Sequence, residues 1–187
     1  MVFKYKDSVF PKRVAQVAKH LEDTHVADTT PENHEAIYHY TGDIAEPLNY
    51  RLRNNEPFGM WKHEHDAIIN HIDAQKPLSA PLHTFSATGD FDPTGGTKGG
   101  TYHNKSFISS SINPVFAKTF HSSFDNKQPH IIHFKLPIGY NRGAYIDKHS
   151  KWQGEEHEFL LKPDQKWKHK GTISTVTGHV HTFEPVE

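Results

Sequence analysis

The chain has 187 residues, seventeen of them histidine and none cysteine, which excludes thiolate metal sites, catalytic thiols and disulfides. Lys and Arg number 21 against 22 Asp and Glu, a formal charge of −1 with histidine neutral, so no standing basic field exists to hold a nucleic-acid backbone. A hydrophobic share of 34%, with 12% aromatic residues, excludes a fully disordered chain, and the length suits a single domain over residues 1–187.

The first residues, MVFKYKDSVFPKRVAQ, contain no long apolar run. No later segment reaches the roughly 18 apolar residues of a membrane span. Neither a signal peptide nor a membrane partner is expected, and the default setting is cytoplasmic. Val14, Val17, Ala18 and Leu21 recur at helical spacing behind Pro11, predicting an amphipathic helix over 11–22. A second helix is predicted from Asp43, where Asp43 and Glu46 resemble a capping pair and Ile44, Leu48 and Leu52 recur every fourth residue. Pro47 requires that its position be near that helix's start. A third helix, from Trp61 to Ile72, gathers Trp61, Ile68, Ile69 and Ile72 on one face and turns His63, Glu64, His65 and Asp66 mostly outward.

After Lys76-Pro77 the pattern changes to short apolar or alternating runs: Leu82–Phe85, Ser106–Ser109, Ile131–Leu136, Ala144–Ile146, Glu158–Leu161, Ile173–Val176 and Val180–Phe183. These predict strands. Between them Asn113 and Pro114 open a short helix whose buried face is Phe116, Ala117 and Phe120. The run Thr94–Gly100 (TGGTKGG) predicts a surface loop. A mainly helical part (1–75) followed by a mainly stranded part (76–187) indicates an α+β fold rather than alternating βαβ units.

In GEEHEFLLKP, Glu156 and Glu158 stand two apart, so on a strand they share a face. Like charges on one face repel, and the pair is either solvated at an edge or put to use. In KSFISSSINPVFAKTF, the run Ser109, Ser110, Ser111 follows an apolar pair; alone, such a run is ordinary turn chemistry. Together, the serine run and the later Glu-x-Glu resemble the mono-ADP-ribosyltransferase family, whose Ser-Thr-Ser strand precedes a Glu-x-Glu strand. HIIHFKLPIGYNRGAYIDKHS is similar to the strand, Pro-x-Gly turn and Gly-Ala-Tyr-Ile strand that join these motifs, and Asn49, Leu52 and Arg53 match the family's Asn-x-x-Leu-Arg helix. The resemblance covers roughly residues 37–186.

One position departs. Where the family's first strand usually carries an Arg, HTFSATG places Ser86, and the following Phe91-Asp92-Pro93 is closest to phage transferases of the Alt type.

The resemblance implies an ADP-ribosyltransferase fold: N-terminal helices packed on two small mixed or antiparallel sheets around an NAD cleft. It implies transfer of ADP-ribose from NAD, as substrate, to a protein side chain, most readily arginine, with release of nicotinamide and no metal. Breaking the nicotinamide–ribose bond develops positive charge on the ribose, which a fixed carboxylate stabilises. By resemblance that carboxylate is Glu158; Glu156 orients or deprotonates the acceptor, and Ser109 holds Glu158 and the ribose in register. The NAD contacts implied are Ser86, Ser111, Arg53, then Arg51, and Phe124; those to the target are Trp152 and Gln153. A host-cell protein, RNA polymerase by analogy with the Alt branch, is the expected partner, and no specific nucleic acid. Other outcomes remain open: an NAD glycohydrolase, a silent binding module, or a histidine-rich metal-binding protein. For metal the spacing is unfavourable, since His63 and His65 diverge on a helix while only His179 and His181 share a strand face. Most histidines are expected at the surface.

Overall fold

The computed structural model describes residues 10–87, 99–116, 130–175 and 178–186. The expectations on residues 1–9, on residues 88–98 with Phe91-Asp92-Pro93, on Ala117 and Phe120, on Phe124 and on Val176 lie outside them.

Helix α1 (Phe10–Thr24) buries Val14, Ala18 and Leu21 at the predicted spacing. Helix α2 (Pro31–His39) was not among the sequence expectations, although its start signals are present. Thr30 caps it by accepting from the Asn33 N–H at 3.3 Å, Pro31 fills the first turn and Glu32 faces the positive end of the dipole. It passes through a π turn (Tyr40–Ile44) into α3 (Ala45–Asn54). The predicted start at Asp43 is therefore corrected: Asp43 already lies inside a helix, no side chain caps this junction, and Glu46 pairs with Arg53 instead. Pro47 explains the π turn, since its ring excludes the carbonyl four residues back and it has no N–H to offer there. Helix α4 (Lys62–Ala74) buries Ala67, Ile68, His71 and Ile72. On it His63 points outward to Glu32 at 3.0 Å, but His65 lies half-buried with its ring 4.0 Å from that of Phe58.

Eight strands follow: β1 (Leu82–Ala87), β2 (Thr101–Asn104), β3 (Ile108–Ser111), β4 (His130–Leu136), β5 (Gly143–Tyr145), β6 (Glu158–Leu161), β7 (Gln165–Thr175) and β8 (Gly178–Pro185). They form one sheet in the order β2-β7-β8-β4-β1-β3-β6-β5, antiparallel except for β4 beside β8. The two small sheets expected are the halves of this one sheet, joined by the single register pair Phe85–Ser111. The serine strand starts two residues later than predicted, at Ile108, so all three serines belong to it.

Two clusters of buried side chains sit against the sheet. One joins α1 to Phe134, Trp167 and Phe183; the other joins α2, α3 and α4 to Ala144, Ile146 and Leu160. Strand β6 serves both: Phe159 and Leu161 enter the first, Leu160 the second, and Glu158 shares the face of Leu160. Four histidines belong to this interior, His25, His71, His169 and His181, while the other described ones are half-buried or exposed. Imidazole, neutral and with an apolar body, can be buried where a ring nitrogen finds a partner, as His71 does with Thr29 at 2.9 Å.

Gly143 lets β5 approach β6. A Cβ there would meet the Phe159 ring at 2.5 Å and the Leu160 carbonyl at 3.0 Å. Gly143→Ala is expected to destabilise the fold by about 1–3 kcal/mol through overpacking. Thermal unfolding would read this as a midpoint lowered by roughly 2–4 °C for each kcal/mol.

Candidate active site

A cleft of about 500 Å³ lies over the β1–β3 joint. It is lined by β1 (Phe85–Ala87), β3, the π turn and α3 with Tyr40, Asn49 and Arg53, and by Trp152, Glu156 and Glu158. The structure thus brings together Glu158, Glu156, Ser109, Ser111, Ser86, Arg53 and Trp152 from segments far apart in sequence.

Glu158 opens β6 opposite Ser111 and is 4% exposed. Burial pushes its carboxyl up to about 8; a hydrogen bond from Ser109 opposes the rise, and the neighbouring charges of Glu156 and Asp147 add to it. Ser109 also bonds Tyr40, whose buried hydroxyl accepts from Asn49 Nδ2 at 3.0 Å. Asn49 Oδ1 in turn accepts from the Phe107 N–H at 3.1 Å. The chain Glu158–Ser109–Tyr40–Asn49 therefore ties the carboxyl to the entrance of β3 and to α3. Burial and the negative charge of Glu158 hold the Tyr40 phenol well above its usual range, so it stays a neutral donor.

Glu156 is not on the strand. His157, between the two glutamates, has φ of 48°, which ends the extended run and leaves Glu156 in a turn. The two carboxylates still share the cleft, because the turn folds back onto it. Glu156 is half-buried, and its carboxyl is raised by burial first and then by Glu155 and Asp147. The His157 ring points away, with Nδ1 3.1 Å from the Tyr145 hydroxyl.

The serines divide their work. Ser86 donates to the Ser109 carbonyl at 2.8 Å, bracing the joint. The Ser110 hydroxyl donates to the Phe159 carbonyl, and Ser111 donates to the Glu156 carbonyl at 2.5 Å while accepting from the Asn113 N–H at 2.9 Å. Ser111 thus fixes the Glu156 turn to the start of the next helix, where Asn113 Oδ1 caps the Val115 N–H.

The two arginines separate. Arg53 lines the cleft, 3.0 Å from Glu46 in an exposed pair, whereas Arg51 is not brought there: it donates to the Pro57 carbonyl at 2.7 Å and faces Glu56. Two residues apart on a helix, they point about 200° apart around its axis. Gln153 is exposed and is not among the residues of the cleft wall. Trp152 is there, half-exposed, its indole N–H on the Thr41 carbonyl at 3.0 Å, while the Lys151 N–H donates to the Thr41 hydroxyl at 2.9 Å. This loop is thereby fastened to the π turn. Tyr40 and Thr41 were missed in the sequence, where nothing but proximity to the Asn49 motif marked them.

Among the described residues no group of three His, Asp or Glu side chains is placed to hold a metal ion. His179 and His181 do share a face, and His130 stacks against both, with ring separations of 4.9 and 5.0 Å. No described helix is long and apolar enough to cross a membrane.

No family model matches the sequence. The chain is 30% identical over 149 residues to the NAD(+)–arginine ADP-ribosyltransferase EFV of Enterococcus faecalis, an alignment that takes in 78% of this chain and 30% of that protein. The chain therefore spans less than a third of that curated relative. Among solved structures, the ADP-ribosyltransferase Vis of Vibrio splendidus, in complex with agmatine, superposes with a TM-score of 0.68 at 17% identity over 94% of this chain and 86% of that one. Exoenzyme S of Pseudomonas aeruginosa, bound to carba-NAD and human 14-3-3 protein beta, gives 0.69 at 17% identity over 94% and 82%. The toxin Plx2a of Paenibacillus larvae gives 0.67 at 17% over 99% and 98%. The chain has the ADP-ribosyltransferase fold, and over 149 residues its sequence is similar to that of an NAD(+)–arginine ADP-ribosyltransferase.

Proposed function

We propose that residues 1–187 form one catalytic domain that transfers ADP-ribose from NAD to a protein side chain, with arginine as acceptor. The observation that carries this reading is Glu158, a carboxyl buried on the wall of a dinucleotide-sized cleft that Glu156 and Arg53 also line. The arginine-specific relative and the agmatine complex of a structural neighbour support the choice of acceptor.

In this reading Arg53 leaves Glu46 to take the diphosphate, which a guanidinium binds through paired N–H donors. Their exposed pair costs little to exchange. Arg53 is then the phosphate anchor in place of the arginine that Ser86 replaces; Ser86, on the cleft wall, keeps its NAD contact in this reading, while Arg51 is held outside the cleft at Pro57 and Glu56. The contact of Phe124 with NAD rests on the resemblance alone, that residue lying outside the described ones, and Ser111, which lines the cleft, fixes the turn as well as facing NAD. Glu158, ionised, stabilises the positive charge that develops on the ribose, and Ser109 holds its carboxylate in place. The positive nicotinamide ring of bound NAD favours the ionised form that burial disfavours in the free protein. Glu156 receives the acceptor guanidinium and takes its proton, while Trp152, with Gln153 beyond it, meets the target surface. A host-cell protein in the cytoplasm is the proposed target; the assay below also reads whether RNA polymerase is labelled, as the phage affinity would have it.

Incubation with labelled NAD and agmatine or a host lysate tests the reading: label on acceptor means transfer, free nicotinamide alone means hydrolysis, and neither means a binding module. Glu158→Gln is expected to lower transfer by about 10²–10³-fold, the usual cost of removing a main electrostatic stabiliser. Because the fold favours the neutral carboxyl, wild-type stability declines as pH rises from the unfolded value of 4.5 through about 8. The same variant should therefore melt higher than wild type above that pH, with the gap closing toward acid.

Glu156→Gln separates the two carboxylates: transfer to agmatine should fall by about 10²-fold or more, while nicotinamide release into water is largely retained. If both activities fell together, the acceptor role of Glu156 would be wrong. For NAD turnover, kcat/KM should rise with pH through about 8 as Glu158 ionises in the free enzyme; a profile flat between mildly acid and alkaline pH would oppose the assignment.

A further inference from the structure

Asp147 is 6% exposed and belongs to a short 3-10 turn (Asp147–His149) that follows β5. Its side chain reaches across to the turn that precedes β6. Oδ2 accepts from the Gly154 N–H and Oδ1 from the His157 N–H, each at 3.0 Å. Those two residues have φ of 78° and 48°, so the carboxylate spans the two left-handed positions between which Glu155 and Glu156 are held. His157 pays for a conformation that costs of order 1 kcal/mol or more in a residue with a Cβ. A bond at its N–H stabilises that conformation from outside.

We infer that Asp147 is a positioning residue for the transfer reaction proposed above: its carboxylate fixes the turn that sets Glu156 against Glu158. The rest of the turn is held by groups that leave these two N–H donors unserved. The Glu155 and Glu156 N–H groups bond the Trp152 carbonyl at 3.0 and 3.4 Å, the Glu156 carbonyl takes the Ser111 hydroxyl, and the His157 carbonyl takes the Ile112 N–H at 3.1 Å. An asparagine at 147 could accept one N–H through its oxygen and would turn donors toward the other.

The same charge acts on the reacting groups. It raises the carboxyls of both Glu156 and Glu158, after burial, and it raises the Tyr145 phenol on β5, to which Glu22 of α1 also contributes. Its other titratable neighbours are the His157 ring, 4.0 Å from Oδ2, with Lys148 and His149 beside it in the chain and Glu155 in the turn.

Two measurements test the inference. In the wild-type protein, amide hydrogen exchange should be slow at Gly154 and His157 compared with Gln153; exchange as fast as at Gln153 would overturn the clamp, whatever the activity. In Asp147→Asn, the ratio of transfer to hydrolysis should fall by about 10- to 100-fold, as for a group displaced by about 1 Å. The midpoint of the pH profile of NAD cleavage should move to lower pH. A lower melting temperature with an unchanged ratio and unchanged midpoint would make Asp147 structural only. Should the variant not fold, the exchange measurement decides. A wild-type protein that releases no nicotinamide would refute the activity while leaving the clamp to be judged by exchange.

Discussion

The pairing of Ile108–Ser111 with Glu158–Leu161 is the interaction on which the site depends. Four residues on each side suffice because period-two alternation assigns every side chain of β6 in one step. Phe159 and Leu161 go under the sheet, Leu160 goes under the helices, and Glu158 is left where both cores run out. Slipping this register by one residue would send Glu158 into the aromatic cluster and Phe159 into the cleft. The dense apolar packing on both faces of β6 is therefore what makes a buried carboxylic acid possible at its first position.

Burial of that group has a thermodynamic sign opposite to most of the fold. The clusters around Trp167 and Leu48 stabilise by removing apolar area from water, whereas Glu158 ionised in the same environment works against folding. The polar line Ser109–Tyr40–Asn49 lessens the cost without removing it, and Asp147 and Glu156 increase it. A site that waits for positive charge has reason to be built this way: unmet need for a cation in the free protein becomes attraction when charge develops.

Much of this could be read from the chain. Glu158, Ser109, Asn49 and Arg53 stand in motifs whose spacing survives folding because each motif lies within one strand or helix. Glu156 fell outside that safety: the strand rule assumed extended backbone through His157, and although histidine is enriched at positive φ, such a backbone is too uncommon for one His to end a strand in the reading. Arg51 was carried along by proximity, although two residues on a helix separate side chains more than four do. Strand β7 was largely missed because its inward positions are Gln165, Trp167 and His169, two of them polar, alternating with lysines. They are satisfied in pairs invisible from sequence, Tyr140 hydroxyl to Gln165 and Trp167 indole to Asn104, each at 2.6 Å. Where a core is hydrogen-bonded rather than greasy, hydropathy reads it as loop.

The π turn between α2 and α3 has a consequence for the spacing of residues along the chain. Helix α2, the π turn and α3 form one rod, and the widened turn holds a residue that a plain α-helix would not. Each residue of an α-helix advances about 100° around the axis and 1.5 Å along it. Loss of a single residue between Tyr40 and Ile44 would close the widened turn to a plain α-helix and leave Asn49 and Arg53 on their present faces, whereas gain of one more, with α2 held by its contacts to α4, would swing both by about that angle, out of the cleft. Descendants of this sequence can therefore shorten the π turn by one residue more readily than they can lengthen it.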